Sequence, residues 1–283
     1  MTDSVRVACV QVTSTPDMAA NIEAAVHGVR AAAADGARLV TLPENVALLG
    51  PGGAIREAAP DPGAHPARRA FADVARDCGV WLLGGSIAEK TQGPRLANRS
   101  VLFDDRGRAV AEYDKIHMFD VTLDGGESYR ESESYRPGGT ARLASTPWGG
   151  LGMTICYDLR FPALYRGLAQ AGATMLAVPS AFTVPTGQAH WHVLLRARAI
   201  ETGCFVIAPA QCGTHYGKRR TYGHSVIIDP WGEVLAQAGD EPGVIAADLD
   251  PAAVARARAK VPSLEHDRSY AGPDELAARD AAE

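Results

Sequence analysis

Apolar positions in this chain fall into two kinds of block. Val5-Arg6-Val7-Ala8-Cys9-Val10-Gln11-Val12 is a β-branched run of strand length. Arg38-Leu39-Val40-Thr41-Leu42 and Val80-Trp81-Leu82-Leu83-Gly84-Gly85 have the same character. Between these runs lie Ala-rich, proline-free segments at 18–35 and 67–78, which predict helices. Pro16 and Asp17 punctuate the approach to the first helix, Gly36 closes it, and Pro43 stops the second strand. Strands alternating with helices of this length predict parallel pairing and an α/β fold.

The pattern then recurs. Gly36-Ala37-Arg38-Leu39-Val40-Thr41-Leu42-Pro43 resembles Gly172-Ala173-Thr174-Met175-Leu176-Ala177-Val178-Pro179, and the run from Gly79 echoes the run from Gly203. One reading is generic α/β grammar. The other is one domain of two related halves, with two sheets facing each other and helices outside. Asp104-Asp105-Arg106-Gly107 predicts a hairpin turn between strands at 99–103 and 109–113. Residues 49–66 predict a Gly- and Pro-rich loop, and 114–140 show no clear period, which marks a functional or mobile stretch. Residues 250–260 are helical by composition. The expected organisation is one domain over 1–270, then a frayed tail over 271–283.

Composition narrows the classes. Of 283 residues, 46% are hydrophobic and 22% charged, which excludes a disordered chain. A net charge of −5 gives no basic excess for phosphates, so nucleic acid is not an expected partner. No apolar stretch reaches the roughly 18 residues of a membrane span, and the N-terminus lacks the basic-then-apolar order of a signal peptide. These features predict a cytoplasmic location. Five cysteines at irregular spacing, without a CxxC pair, support neither a disulfide framework nor a thiolate zinc site.

Cys156 follows the buried-strand pattern Leu151-Gly152-Met153-Thr154-Ile155 and precedes a helix predicted over 161–171, with Pro162 near its start. That places it at the carboxyl edge of a sheet, where α/β proteins bind ligands, and a nearby helix N-terminus would favour thiolate. Cys9, Cys78 and Cys204 fit buried packing roles instead. Glu44 ends a strand just after Pro43, and Lys115 lies in Tyr113-Asp114-Lys115-Ile116-His117; taken alone, each reads as a surface residue. His190 and His192 lie two apart, and His215 and His224 lie in or beside a loop at 212–223. None has zinc-helix spacing, and no metal or cofactor is expected.

Taken together, Leu42-Pro43-Glu44-Asn45, Tyr113-Asp114-Lys115-Ile116-His117-Met118-Phe119-Asp120 and Ile155-Cys156-Tyr157-Asp158-Leu159-Arg160-Phe161-Pro162 resemble the nitrilase superfamily of carbon–nitrogen hydrolases, as do Pro179-Ser180-Ala181-Phe182-Thr183 and Asp229-Pro230-Trp231-Gly232. The chain is most similar to the deaminated glutathione amidase branch, over roughly residues 4–270. The resemblance implies an α-β-β-α four-layer sandwich with two pseudo-symmetric halves and pairing into homo-oligomers. It implies a Glu44–Lys115–Cys156 triad and a second glutamate at Glu131, with Glu127 and Glu133 as close alternatives. Two positions depart from the family pattern. His192 stands where a glutamate usually follows His-Trp, and His266-Asp267-Arg268 stands where the family has His-Arg-Arg.

The chemistry of these side chains agrees. A free thiol is only a few per cent thiolate at neutral pH, so a desolvated Glu44 would take its proton and return it to departing ammonia. Glu44 would then activate water against a thioester, with Glu131 orienting Glu44 or that water. Lys115 and the Tyr157 N–H would hold the oxyanion, one such donor being worth ~3–4 kcal/mol of barrier. Arg160, Thr183 and Thr186 are candidate contacts for a substrate carboxylate. The expected reaction is hydrolysis of a small ω-amide, with deaminated glutathione the best match; omega-amidase, carbamoylase and nitrilase activities share the site. A Cys–His hydrolase using His190 or His224, and a catalytically silent interaction module, are the competing classes.

Overall fold

The computed structural model describes residues 4–122 and 128–272. Its first half runs β1 (Val5–Gln11), α1 (Met18–Ala34), β2 (Leu39–Thr41), α2 (Gly52–Ala58), α3 (Pro66–Cys78), β3 (Trp81–Leu83), β4 (Ile87–Glu89), β5 (Ala97–Phe103) and β6 (Ala109–Asp114). A short hairpin of β7 (Asp120–Thr122) and β8 (Ser128–Arg130), then α4 (Glu131–Ser134), leads to the second half. That half holds β9 (Arg142–Thr146), β10 (Gly149–Met153), α5 (Pro162–Gln170), β11 (Ala173–Ala177), α6 (Val184–Thr202) and β12 (Phe205–Ala208). It continues with β13 (Cys212–Tyr216), β14 (Arg219–Tyr222), β15 (Val226–Ile228), β16 (Val234–Gln237), β17 (Gly243–Leu249) and α7 (Ala252–Lys260).

The repeat read from the sequence is real in three dimensions. In one sheet β1, β2 and β3 pair in parallel, β5 adds antiparallel to β3, and β17 adds antiparallel to β1. In the other, β10, β11 and β12 pair in parallel, β15 adds antiparallel to β12, and β9 adds antiparallel to β10. Alternation along β1 shows how the layers form. Val5, Val7 and Cys9 face the core shared with Leu151, Met153, Met175 and Ile207 of the second sheet. Ala8 and Val10 face the opposite way, against Ala25, Val29 and Ala32 of α1 and Phe71 and Val74 of α3. On the other side Tyr165, Leu168, Leu195 and Ala199 of α5 and α6 cover the second sheet. The result is the four-layer α-β-β-α sandwich, each sheet burying both faces.

Local chemistry sets the element ends. Asp17 caps α1 by accepting from the Ala20 N–H at 3.1 Å, and His65 Nδ1 accepts from the Ala67 N–H to cap α3, which has Pro66 in its first turn. Asp104 Oδ1 accepts from the N–H groups of Arg106 and Arg108 and closes the β5–β6 turn. Three expectations need correction. The 49–66 loop contains α2 and a 3₁₀ turn at Pro62–Ala64. Two glycines open α2 against helix propensity, and it is held by Ile55 packing with Leu96 and Tyr135. The segment at 212–223 is a hairpin, and Cys78 is only half-buried.

The tail docks through the residue that departs from the family pattern, since Asp267 accepts from Arg166 and Gln170 of α5. Most of the expected frayed segment, 273–283, lies outside the described residues, as does Glu127. Among the described residues no helix is long and apolar enough to cross a membrane.

Candidate active site

The two halves deliver their chemistry at strand ends. Glu44 lies just beyond β2, and Cys156 just beyond β10. Lys115 is the first residue after β6, and Glu131 opens α4. Chain turns aim the side chains. Asn45, next to Glu44, has φ 55, and its N–H donates to Ser86 Oγ at 3.0 Å. Cys156 itself has φ 49, a left-handed conformation that costs a non-glycine residue about 1–2 kcal/mol. It is pinned there by its own N–H donating to the Pro179 carbonyl at 2.9 Å and by the Ile155 N–H donating to Asp158 Oδ2 at 2.9 Å.

Glu44, Lys115 and Cys156 are all buried and line one cleft with Glu131. Lys115 Nζ donates to Glu44 Oε1 at 2.9 Å and to both oxygens of Glu131, at 2.9 and 2.8 Å. Glu131 Oε2 also accepts from the Phe119 N–H at 2.6 Å. Burial alone would lower the Lys115 ammonium, but the charges of Glu131 and Glu44 outweigh it and raise it. Burial raises the Glu131 carboxyl, with Lys115 opposing and Glu44 adding to the rise. Glu133, the described alternative to Glu131, is exposed.

The sulfur behaves differently from the sequence expectation. Burial and the Glu44 charge push the Cys156 thiol well above its ordinary value, and Lys115 and the Ala181 N–H only partly offset this. The turn after β10 is a 3₁₀ helix, Cys156–Arg160, too short to supply much dipole, so thiol rather than thiolate is the resting form. Tyr157, second in that turn, is among the residues that line the cleft.

Arg160, Thr183 and Thr186 also line the cleft. The two threonines are already engaged, because Thr183 caps α6 and its hydroxyl meets that of Thr186 at 2.8 Å. The cleft has a volume of about 200 Å³ and is open at its mouth, with four cations (Lys115, Arg130, Arg160, Arg219) against two carboxylates. Among the described residues Arg130, Arg160 and Arg219 make no ion pair with a carboxylate. Arg219 donates to the Ala181 carbonyl at 3.0 Å, and Arg160 lies over the Tyr157 and Phe182 rings. No histidine lines the cleft. His190 faces Arg160 at the surface, and His224 is stacked on Tyr222. His192 packs edge-on against the His224 ring, and burial and that neighbour hold it neutral.

With this geometry in place, the comparisons are specific. The model of the family described as "Carbon-nitrogen hydrolase" matches residues 6–259. This chain belongs to the carbon–nitrogen hydrolase family. The hydrolase is 43% identical over 267 residues to a Homo sapiens protein named deaminated glutathione amidase, covering 93% of this chain and 82% of that one. It is similar to the C. elegans NitFhit structure at TM-score 0.87 and 35% identity, covering 94% of this chain and 66% of that chain. It is also similar, at TM-score 0.80 and 26% identity over 94% of this chain and 95% of the other, to a variant of an amidase from Nesterenkonia sp. AN1. That variant carries the acetamide moiety of fluoroacetamide covalently on its active site cysteine.

Sequence reasoning missed Asn98 and gave Asp158 no task. Asn98 sits on β5, donating to Glu44 and Glu131, and its signal was only a polar residue in a strand otherwise buried. Asp158 is fully buried and accepts from Ile155, Tyr113 and His117. Its place two residues after Cys156, in an apolar neighbourhood, was the available clue.

Proposed function

We propose that this hydrolase is a cysteine-dependent amidase acting on a small ω-amide of a carboxylic acid through a thioester. The observation that carries the reading is the burial of the Cys156 thiol against Glu44 and Lys115 in one cleft. A protonated thiol beside a carboxylate passes its proton to that carboxylate as sulfur attacks the amide carbon. The oxyanion forms toward the Lys115 ammonium and the Tyr157 N–H. Collapse breaks the C–N bond, and Glu44 returns the proton to the departing amine. A water then gives a proton to Glu44 and attacks the thioester, releasing the acid and the Cys156 thiol. Glu131 orients this exchange through Lys115.

Deaminated glutathione is the favoured substrate, because relatives carry that name and the arginines at the cleft, which make no ion pair among the described residues, complement carboxylates. From a primary ω-amide the leaving group is ammonia; the amide of deaminated glutathione is substituted, so there cysteinylglycine leaves. Residues 1–270 as one domain, a homo-oligomeric state and a cytoplasmic location complete the proposal.

Two measurements test it. Product release is followed for deaminated glutathione, α-ketoglutaramate, a carbamoyl amino acid and a nitrile, which separates the activities sharing the site. Mass spectrometry after fluoroacetamide is expected to place the adduct on Cys156, and Glu44→Gln is expected to lower turnover ~10²–10⁴-fold. Inertness toward every amide, or a Glu44→Gln variant as active as wild type, would overturn the reading.

A further inference from the structure

Two donors and two acceptors form a closed square behind the cleft. Lys115 Nζ lies 2.9 Å from both Glu44 Oε1 and Glu131 Oε1, and Asn98 Nδ2 reaches the same two oxygens at 3.0 and 3.3 Å. Three of its corners are buried, Asn98 at 1%, Lys115 at 2% and Glu44 at 3% exposure, and Glu131 is partly exposed toward the cleft. The orientation of the Asn98 amide follows from its neighbours, because the flipped amide would turn its carbonyl oxygen on two carboxylates. In the fixed orientation Asn98 Oδ1 is buried with no partner among the described residues. Packing alone disfavours such a residue here, where an apolar side chain would leave no orphaned acceptor. The arrangement has one chemical consequence: Glu44 Oε1 is occupied twice, and Glu44 Oε2 has no donor in the square.

We propose that Asn98 is a positioning residue that selects Glu44 Oε2 as the oxygen exchanging protons with Cys156. It commits Oε1 to a fixed donor. It also keeps Glu44 and Glu131 in register when the Lys115 ammonium turns toward the oxyanion, a step at which the lysine alone would release its hold. This rests on the proposed amidase chemistry, but it concerns the thiol–carboxylate proton transfer and can be read without an amide substrate.

The test uses the full chain with Asn98→Leu, which removes the donor at similar size, and Asn98→Asp, which is isosteric and replaces a donor by an acceptor. The rate of Cys156 alkylation by iodoacetamide is measured against pH, with thermal unfolding in parallel. A donor to a carboxylate favours its charged form, so its removal makes protonation easier. The acid limb of the alkylation profile is therefore expected to move up by about half a pH unit or more in Asn98→Leu, and further in Asn98→Asp. With an amide that wild type hydrolyses, kcat is expected to fall by roughly tenfold or more while KM stays within about threefold. Variants that melt earlier yet keep the wild-type limb and kcat would make Asn98 merely structural and overturn the inference. Wild-type inertness toward all amides would instead defeat the proposed function, leaving the alkylation profile to decide on Asn98.

Discussion

The Tyr113 hydroxyl donates to Asp158 Oδ2 at 2.7 Å, joining the strand that ends just before Lys115 to the turn that carries Cys156. Tyr113 and Asp158 are both buried, and Asp158 Oδ1 accepts in addition from the His117 N–H at 3.0 Å. The two chain segments of the site thus share one carboxylate. Tyr113→Phe keeps the ring but removes a donor from a buried carboxylate, an expected loss of about 1–3 kcal/mol in urea unfolding. Because Lys115 lies two residues away, kcat is expected to fall as well. Unchanged stability and kcat would deny Asp158 this linking role.

Lys115 pairs with the buried Glu44 and the partly buried Glu131, so its removal should be felt in stability as well as rate. Lys115→Met is expected to cost about 3–5 kcal/mol and to abolish turnover. The sign with pH follows from charge: without the ammonium, two adjacent carboxylates fold best when one is protonated. The deficit therefore grows as pH rises from 5 to 8, which melting curves would show. Adding Glu131→Gln removes one of the charges and should recover part of the stability and none of the activity.

His215 fastens the β13–β14 hairpin to the first half. Its ring nitrogens meet the Ser14 carbonyl and the Thr221 hydroxyl, each at 2.7 Å, and burial pushes the ring down to about 4. The unfolded chain takes up that proton near 6.5, so it binds more protons than the native state between these values. Stability from this group is complete above 6.5 and lost as pH falls toward 4, on the order of 3 kcal/mol in all. His215→Gln is expected to flatten the dependence of melting temperature on pH across that window. An unaltered slope would count against it.

Arg219 reaches the cleft from β14 and, among the described residues, makes no ion pair with a carboxylate. Replacing it by alanine is expected to raise KM about tenfold for ω-amides bearing a remote carboxylate and to leave KM for neutral amides such as propionamide unchanged. Equal effects on charged and neutral amides would show that Arg219 serves to hold Ala181 and Tyr129 rather than a substrate carboxylate.

The alternation of β-branched runs with Ala-rich segments was enough to read β1, α1, β2, α3, β3, β10 and α5 to within a few residues, because periodic burial writes itself into the order of residues. The repeat from Gly36 to Pro43 and from Gly172 to Pro179 offered two related halves as one of two readings, and the sheets settle it in that sense. Less was legible where tertiary packing overrides propensity. Gly52–Ala58 forms a helix although two glycines open it, with Ile55 packed beside Tyr135 and Leu96, and Glu131, in a stretch without clear period, is held by Lys115.

By itself, the order of residues determined the layered α/β architecture and, through motif resemblance, named Glu44, Lys115, Glu131 and Cys156 as candidates. Only the tertiary structure decided that Cys156 rests as a thiol, that Glu131 faces Lys115 while Glu133 faces solvent, and that Asn98 closes the square behind Glu44. The physical reason is that hydrophobic periodicity is local along the chain. Proton affinity and hydrogen-bond partnership depend instead on burial and on charges brought within ångströms from segments far apart in sequence.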